Sequence, residues 1–341
     1  MPRCLHVIRD PALDGPTNMA RDEHLLYSAR LRPAVVRIYA WDPPTISLGY
    51  FQSWAAVADL PPDVRDLAVV RRPTGGGAIL HDREVTYCLV IDDSLPVARQ
   101  SPLALYRLAH ECWRFALLQD APMHTQDAPT RADCALTGAR RHSPHPIAMA
   151  PDSLPMPTPR TGPFFCFERP SRTDLVILSE SESVAEAPVP HSEPAAEAPV
   201  PHSEPAAEAP VPQSEPAAEA PVPQSEPAAE APEHSLAETA AHAAPTAGRR
   251  SKLLGSAQRR LPGRVLQHGS LLLGRRFASH PGADLGDPPA DAVAYWVATF
   301  LNRLAAALDL TPAPADWLPG ELADVAARRA QYASAEWTRR R

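Results

Sequence analysis

The chain has 341 residues and a formal net charge of −7; arginine supplies all but one of its 33 basic residues, and Lys252 is the single lysine. Five cysteines (Cys4, Cys88, Cys112, Cys134, Cys166) at irregular spacing with no CxxC pair argue against a disulfide framework, a zinc site or a dithiol redox motif. No apolar run reaches the roughly 18 residues a membrane helix needs, and the N-terminus "MPRCLHVIRDP" lacks a signal-peptide core, so a cytoplasmic protein with no membrane partner is expected.

In chain order, "LHVIR" (5–9) alternates as a strand, and "GPTNMARDEHLLYSAR" (15–30) opens a helix with Pro16 near its start and Met19, Leu25 and Leu26 on its apolar face. Residues 34–41, 45–50, 66–72 and 84–92 are rich in β-branched and aromatic types and read as strands. Residues 101–118 carry leucines and aromatics at helical spacing, with Ser101 at the N-cap and Pro102 at the first position. Residues 121–163 read as loop. Strands are predicted at 173–178, 251–258 and 263–273, then helices at 291–308 and 320–337. This order predicts an α/β (α+β) fold, a mixed sheet flanked by helices rather than a bundle or sandwich. Cys88 and Cys112 fall inside elements and read as core; Cys4 and Cys134 read as loop residues.

Between the strands at 173–178 and 251–258 lies an eleven-residue repeat of Pro, Ala, Glu and Ser, marked by Pro188, Pro199, Pro210, Pro221 and Pro232. With valine as its only recurring aliphatic, it lacks the apolar surface to offset ordering, and it lacks the apolar face that stacked solenoid repeats need. Residues 179–247 are therefore expected to be a disordered insertion in one domain formed by 1–178 and 248–341. If the two flanking strands pair, the insertion sits at a hairpin turn, where closing about seventy residues costs roughly 3 kcal/mol. The tract holds 13 of the chain's 40 acidic residues and no basic ones, which leaves the remainder mildly basic. Its arginines are scattered rather than arrayed as a nucleic-acid stripe, so no nucleic-acid partner is expected.

Three stretches carry candidate chemistry. In "RRPTGGGAILHDREVTYCLV" (71–90), Gly75, Gly76 and Gly77 let backbone N–H groups approach a ligand, flanked by Arg71, Arg72 and His81. It matches neither GxxxxGK[ST] nor GxGxxG, and taken alone a glycine-rich turn without a ligand explains it equally well. In "FFCFERPSRTDLVI" (164–177), Cys166 among Phe164, Phe165 and Phe167 reads on composition as a small core residue. The third stretch, "KLLGSAQRRLPGRVLQHGSLLL" (252–273), holds Lys252, Gly255, Ala257 and His268; no second ligand stands at metal spacing from His268, so no metal is expected.

The stretch 71–87, "RRPTGGGAILHDREVTY", resembles the signature of the biotin/lipoate A/B protein ligase family. Residues 14–26, 38–52 and 252–273 resemble the same family in the same order. The resemblance implies a mixed sheet around an acyl-binding cleft, with the glycine loop on one side and, on the other, the lysine of a K-x-x-G-x-A motif matched by Lys252, Gly255 and Ala257. Cys166, Phe167, Pro170 and Ser171 resemble the nucleophile segment of the cysteine-dependent octanoyltransferase branch, which takes octanoyl from acyl carrier protein and needs no cofactor. On that reading Cys166 and Lys252 are catalytic, and Lys252 favours the thiolate and assists deprotonation of the incoming amine. Arg72, Gly75, Gly76, Gly77, His81, Gly255, Ala257 and His268 line the substrate site, with Arg72 and His81 shaping its entrance or contacting the acyl carrier's prosthetic group or, for His81, serving structure alone.

The implied partners are octanoyl-acyl carrier protein as donor and, as acceptor, a lipoyl-domain protein such as the glycine cleavage H protein or a 2-oxoacid dehydrogenase E2. Three alternatives stay open at this point. They are an ATP- and Mg-dependent lipoate ligase, an amidotransferase between carrier proteins, and an idle carrier-binding module whose working part is the acidic tract.

Overall fold

The computed structural model describes residues 3–28, 32–119, 146–152, 154, 164–168, 170–178 and 250–341. The expected insertion at 179–247, Cys134 and most of the predicted loop 121–163 lie outside these residues.

Eight strands form one mixed sheet in the order β11-β1-β2-β6-β10-β9-β8-β7, and three more form a small sheet in the order β4-β3-β5. The large sheet comprises β1 (Cys4–Leu13), β2 (Ala34–Trp41), β6 (Glu84–Asp92), β7 (Ile147–Met149), β8 (Leu175–Ile177), β9 (Ser251–Leu261), β10 (Arg264–Leu272) and β11 (Thr311–Pro314). The small one comprises β3 (Thr45–Leu48), β4 (Ala68–Arg71) and β5 (Ile79–His81). The helices are α1 (Gly15–Ser28), α2 (Pro102–Leu117), α3 (Ala290–Ala307), α4 (Pro319–Ala333) and α5 (Ala335–Arg339).

The central strands explain the layering. On β6, Tyr87, Leu89 and Ile91 pack with Trp113 of α2 and Phe300 of α3, whereas Cys88 and Val90 pack with Leu25 and Leu26 of α1 and Val325 of α4. A strand covered on both faces loses the apolar–polar alternation and reads as a near-continuous apolar run, as "VTYCLVI" does. Trp113 and Phe300 stack with ring centroids 4.1 Å apart, joining α2 to α3 over the sheet. Truncating Phe300 there would cost about 3–5 kcal/mol.

Four elements depart from the sequence expectation, the first being the short strand Ile79–His81 between the glycine loop and β6. Ile147–Met149 is a strand inside the predicted loop, and Thr311–Pro314 is an edge strand that the run "TPAP" concealed. Proline cannot donate to a ladder, so Pro312 and Pro314 are tolerated only at a sheet edge. The predicted helix 320–337 is two helices, because the Ser334 hydroxyl accepts from the Trp337 N–H and starts a new one. Cys4, expected in a loop, opens β1 opposite Thr311.

Strands β8 and β9 pair antiparallel, so the stretches on either side of the repeat meet as the arms of a hairpin. Their register contains a bulge: Leu175 faces Leu254 while Val176 faces Lys252, leaving Leu253 as an extra residue on β9. A bulge turns the side chains beyond it to the other face.

Candidate active site

The glycine loop and the cysteine segment are laced together by backbone. Ala78 N–H donates to Phe164 O at 2.8 Å, and Cys166 N–H donates to Ala78 O at 2.7 Å. Gly77 is needed for this approach, since a Cβ there would lie 3.0 Å from Cys166 N and 3.1 Å from Phe164 O. Cys166 begins a short 3₁₀ turn through Glu168, whose carboxylate accepts from Phe165 N–H at 3.0 Å. The amides of Gly75, Gly76 and Gly77 donate to no acceptor among the described residues.

Lys252 reaches this spot from the hairpin. Its Nζ lies 3.2 Å from Cys166 Sγ and 2.9 Å from Asp174 Oδ2, and it sits 5.1 Å from the centroid of the Phe167 ring. The β9 bulge brings the Lys252 side chain over Gly255, where a Cβ would fall 2.1 Å from Lys252 Cε and 2.4 Å from Nζ. The K-x-x-G spacing therefore has a steric reason: the glycine is the room the lysine occupies. Ala257 stands opposite His268 in the β9–β10 register.

Asp174 is a site residue that sequence reasoning passed over. Its Oδ2 accepts from the N–H and the hydroxyl of Ser171, each at 2.7 Å, and so is fixed before it meets the lysine. The signal was present in "PSRTD", an S-x-x-D pattern in which the acid reaches back to the serine N–H, but its link to Lys252 exists only once β8 and β9 pair. Burial by itself pushes the Lys252 ammonium pKa down; Asp174, together with Cys166, outweighs it and holds the group well above its ordinary value. Asp174 and Cys166 therefore favour the charged form of the lysine in this arrangement.

Arg72 and His81 do not stand at an entrance: both are buried. Arg72 donates to Ser47 O at 2.8 Å, Gly75 O at 2.8 Å and Gly77 O at 2.6 Å, so its forked guanidinium clamps the glycine loop onto β3 from behind. Burial pushes this guanidinium down to about 10, against the opposing pull of Cys166 and Tyr106. His81 bonds Ser47 Oγ at 2.7 Å and Glu84 Oε1 at 2.7 Å and stacks on Trp41, the structural role that its sequence context also allowed.

His268 joins the loop to the sheet through Thr74 Oγ1 at 2.6 Å and Asp22 Oδ2 at 3.1 Å. Asp22 in turn bonds Arg37 at 2.7 Å and Tyr39 at 2.7 Å. Burial raises the Asp22 carboxyl, but His268, Arg37 and Tyr39 outweigh it, and the net direction is down. Cys88 and Cys112 are buried in the core, where burial pushes both thiols up and disfavours the reactive thiolate. No group of three or more His, Cys, Asp or Glu among the described residues is arranged to hold a metal ion. No helix among them is long and apolar enough to cross a membrane.

Comparison with known proteins bears on the first third of the chain and on the fold. Residues 14–111 match the family model described as the lipoyl protein ligase A/B catalytic domain. The chain is 45% identical over 97 residues to octanoyltransferase LipM of Kyrpidia tusciae, covering 28% of this chain and 35% of that protein. It is 40% identical over 97 residues to octanoyltransferase LipM of Bacillus subtilis, again covering 28% of this chain and 35% of that protein. It thus spans about a third of the length of the curated relatives it matches. The matched segment holds the glycine loop but neither Cys166 nor Lys252.

Among solved structures, a bi-partite lipoate protein ligase of Thermoplasma acidophilum superposes with a TM-score of 0.52 at 13% identity, covering 99% of this chain and 97% of that one. A lipoate-protein ligase A bound with ATP superposes with a TM-score of 0.51 at 13% identity, covering 98% of each chain. Residues 14–111 therefore match the lipoyl protein ligase A/B catalytic domain, within a chain whose fold is that of the solved lipoate–protein ligases.

Proposed function

We propose that this chain is an acyltransferase of protein lipoylation that carries an octanoyl group on Cys166 between an acyl-carrier-protein thioester and a lysine of a lipoyl-domain protein. The observation that carries this reading is the approach of Lys252 Nζ to 3.2 Å from Cys166 Sγ, beside the glycine loop. The printed activity of the LipM relatives supports the choice of octanoyl transfer, and a T. acidophilum neighbour described together with its E2 lipoyl domain supports the acceptor class.

In the first half-reaction the Cys166 thiolate, paired with the Lys252 ammonium, attacks the thioester carbonyl. The bond from that carbon to the donor sulfur breaks, and the donor leaves as a thiolate that takes a proton from water. The developing oxyanion is met by the ammonium and by amides of the Gly75–Gly77 loop. In the second half the neutral amine of the acceptor lysine attacks the acyl-Cys166 carbon. The carbon–Sγ bond breaks, Sγ returns as thiolate beside Lys252, and the amine proton passes to water. Asp174 matters most while Cys166 is acylated, because it then supplies the only charge opposite a buried ammonium among the described neighbours.

Incubation with octanoyl-acyl carrier protein followed by intact-mass measurement tests this. The expected result is one octanoyl adduct, labile to hydroxylamine, that is absent from Cys166→Ala. An adduct that persists in Cys166→Ala, or pyrophosphate release that depends on free octanoate and ATP, would overturn it.

A further inference from the structure

Asp174 is aimed at Lys252 by a strained residue. Thr173 has φ 75°, in the left-handed region that a β-branched side chain rarely enters. It occupies the third position of a turn closed by Asp174 N–H donating to Ser171 O at 3.1 Å, a position at which left-handed geometry ordinarily selects glycine. Backbone strain of this kind costs on the order of 1–3 kcal/mol and persists only where the surroundings hold it.

The turn is tied to Ala150 by Thr173 N–H donating to Ala150 O at 3.4 Å and Ala150 N–H donating to Asp174 O at 2.7 Å, and the Thr173 carbonyl is held by a hydrogen-bond chain running out of the core. Gln267 Nε2 donates to Tyr87 OH at 2.8 Å, Tyr87 OH meets Ser256 Oγ at 2.7 Å, and Ser256 Oγ meets His110 Nε2 at 2.6 Å. His110 Nδ1 meets Thr173 O at 2.5 Å. A carbonyl only accepts, so Nδ1 carries a proton; when Nε2 accepts, the chain has one direction from the Gln267 amide to the Thr173 carbonyl. Tyr87 donates to Ser256, Ser256 donates to Nε2, and Nδ1–H donates to Thr173 O. This arrangement requires a neutral imidazole. Burial pushes His110 below its ordinary value and favours that form, with Lys252 acting in the same sense and Asp174, Thr173 O and Glu111 opposing.

We propose that His110 is a positioning residue for acyl transfer: its bond to Thr173 O fixes the left-handed turn that presents Asp174 to Lys252 and so keeps the ammonium beside Cys166. The proposal rests on the reading of Cys166 and Lys252 as the reacting pair.

Three variants of the full chain test it: His110→Ala, His110→Asn and His110→Ala/Thr173→Gly. The readouts are octanoyl transfer, the rate of iodoacetamide alkylation at Cys166 by peptide mass, and Tm. In His110→Ala the Thr173 carbonyl loses its side-chain partner and the strained φ its added hold, so the transfer rate should fall about tenfold or more with KM for the carrier little changed, alkylation slowing with it. Asparagine carries an N–H near the position of Nδ1, so His110→Asn should recover most of the loss. Glycine at 173 adopts positive φ without being held, so Thr173→Gly should restore much of what His110→Ala removes. If His110→Ala does not fold, Ser256→Ala with and without Thr173→Gly replaces it, with the same loss and rescue expected.

A folded His110→Ala that transfers and alkylates at the unaltered rate overturns the proposal, as does a double variant no better than the single one. Should the unaltered chain form no acyl adduct, the proposed function fails, while the alkylation series still decides the positioning role.

Discussion

At the residue scale the site depends on the side chain that position 255 lacks. Gly255→Ala places a Cβ inside the volume that Lys252 Cε and Nζ occupy, so the ammonium must leave Cys166. Transfer should fall about 100-fold or more, the size of loss that follows an ångström-scale misplacement of a reacting group. Adduct formation measured beside Tm checks this, with Tm also lowered because the displaced ammonium leaves the buried Asp174 carboxylate unpaired, and adduct formation lost even at temperatures where the variant is fully folded. Lys252→Arg should be as damaging, because a planar fork cannot fit the space bounded by Gly255, Phe167 and Asp174. Retained adduct formation in that variant would refute the requirement for a compact ammonium. Asp174→Asn leaves a buried charge unpaired and should lower unfolding stability by about 3–5 kcal/mol, read from urea denaturation. The lone lysine in an arginine-rich chain is thus explained by shape: the bulge and the glycine make a space for a point charge.

At the element scale the two strands that flank the repeat bring the chemistry together, and the elements behind them make the site sensitive to acid. Burial holds His81 and His110 below their ordinary value, so the unfolded chain takes up those protons first. Stability therefore declines as pH falls below about 6.5. Burial raises the carboxyls of Asp22 and Glu84, but their hydrogen-bonded partners outweigh it and leave both depressed. Their contribution is present above the unfolded carboxylate values and is lost as pH falls further, through the folded ones, so the two effects act in sequence and in the same direction. A Tm series from pH 8 to pH 3 should be flat above neutrality, then fall in two stages, and His110→Asn should flatten the first. Strands β2, β6, β9 and β10 were legible because their apolar runs are long and bounded by turn residues. Ile79–His81 and Ile147–Met149, three residues each, carry too little pattern to be read, and they form only because neighbouring strands supply partners.

At the scale of the whole molecule, the pairing of Ile177 with Ser251 means that residues 178 and 250 already stand side by side. Removing 180–246 leaves Ser179, Ala247, Gly248 and Arg249 as a link, a length that hairpins commonly use. The shortened chain should fold and form the acyl adduct at a rate within about twofold of the full chain, since loop length enters stability only logarithmically. A lost adduct would assign the tract a part in the reaction.

The glycine loop, the cysteine segment and the lysine motif were each visible as local patterns, because a turn, a nucleophile and a K-x-x-G spacing are set by neighbours in the chain. Element types followed for the same reason, from periodicity and end signals. What the linear order does not contain is which of these meet. Cys166 and Lys252 are 86 positions apart. Their contact, the pairing of Asp174 with the ammonium, the burial that makes Arg72 a clamp rather than an entrance residue, and the reach of His110 to Thr173 all depend on strand register and on a one-residue bulge. These were decided by packing, because only when β8 lies on β9 over a filled core does a buried ammonium have a carboxylate to hold it charged.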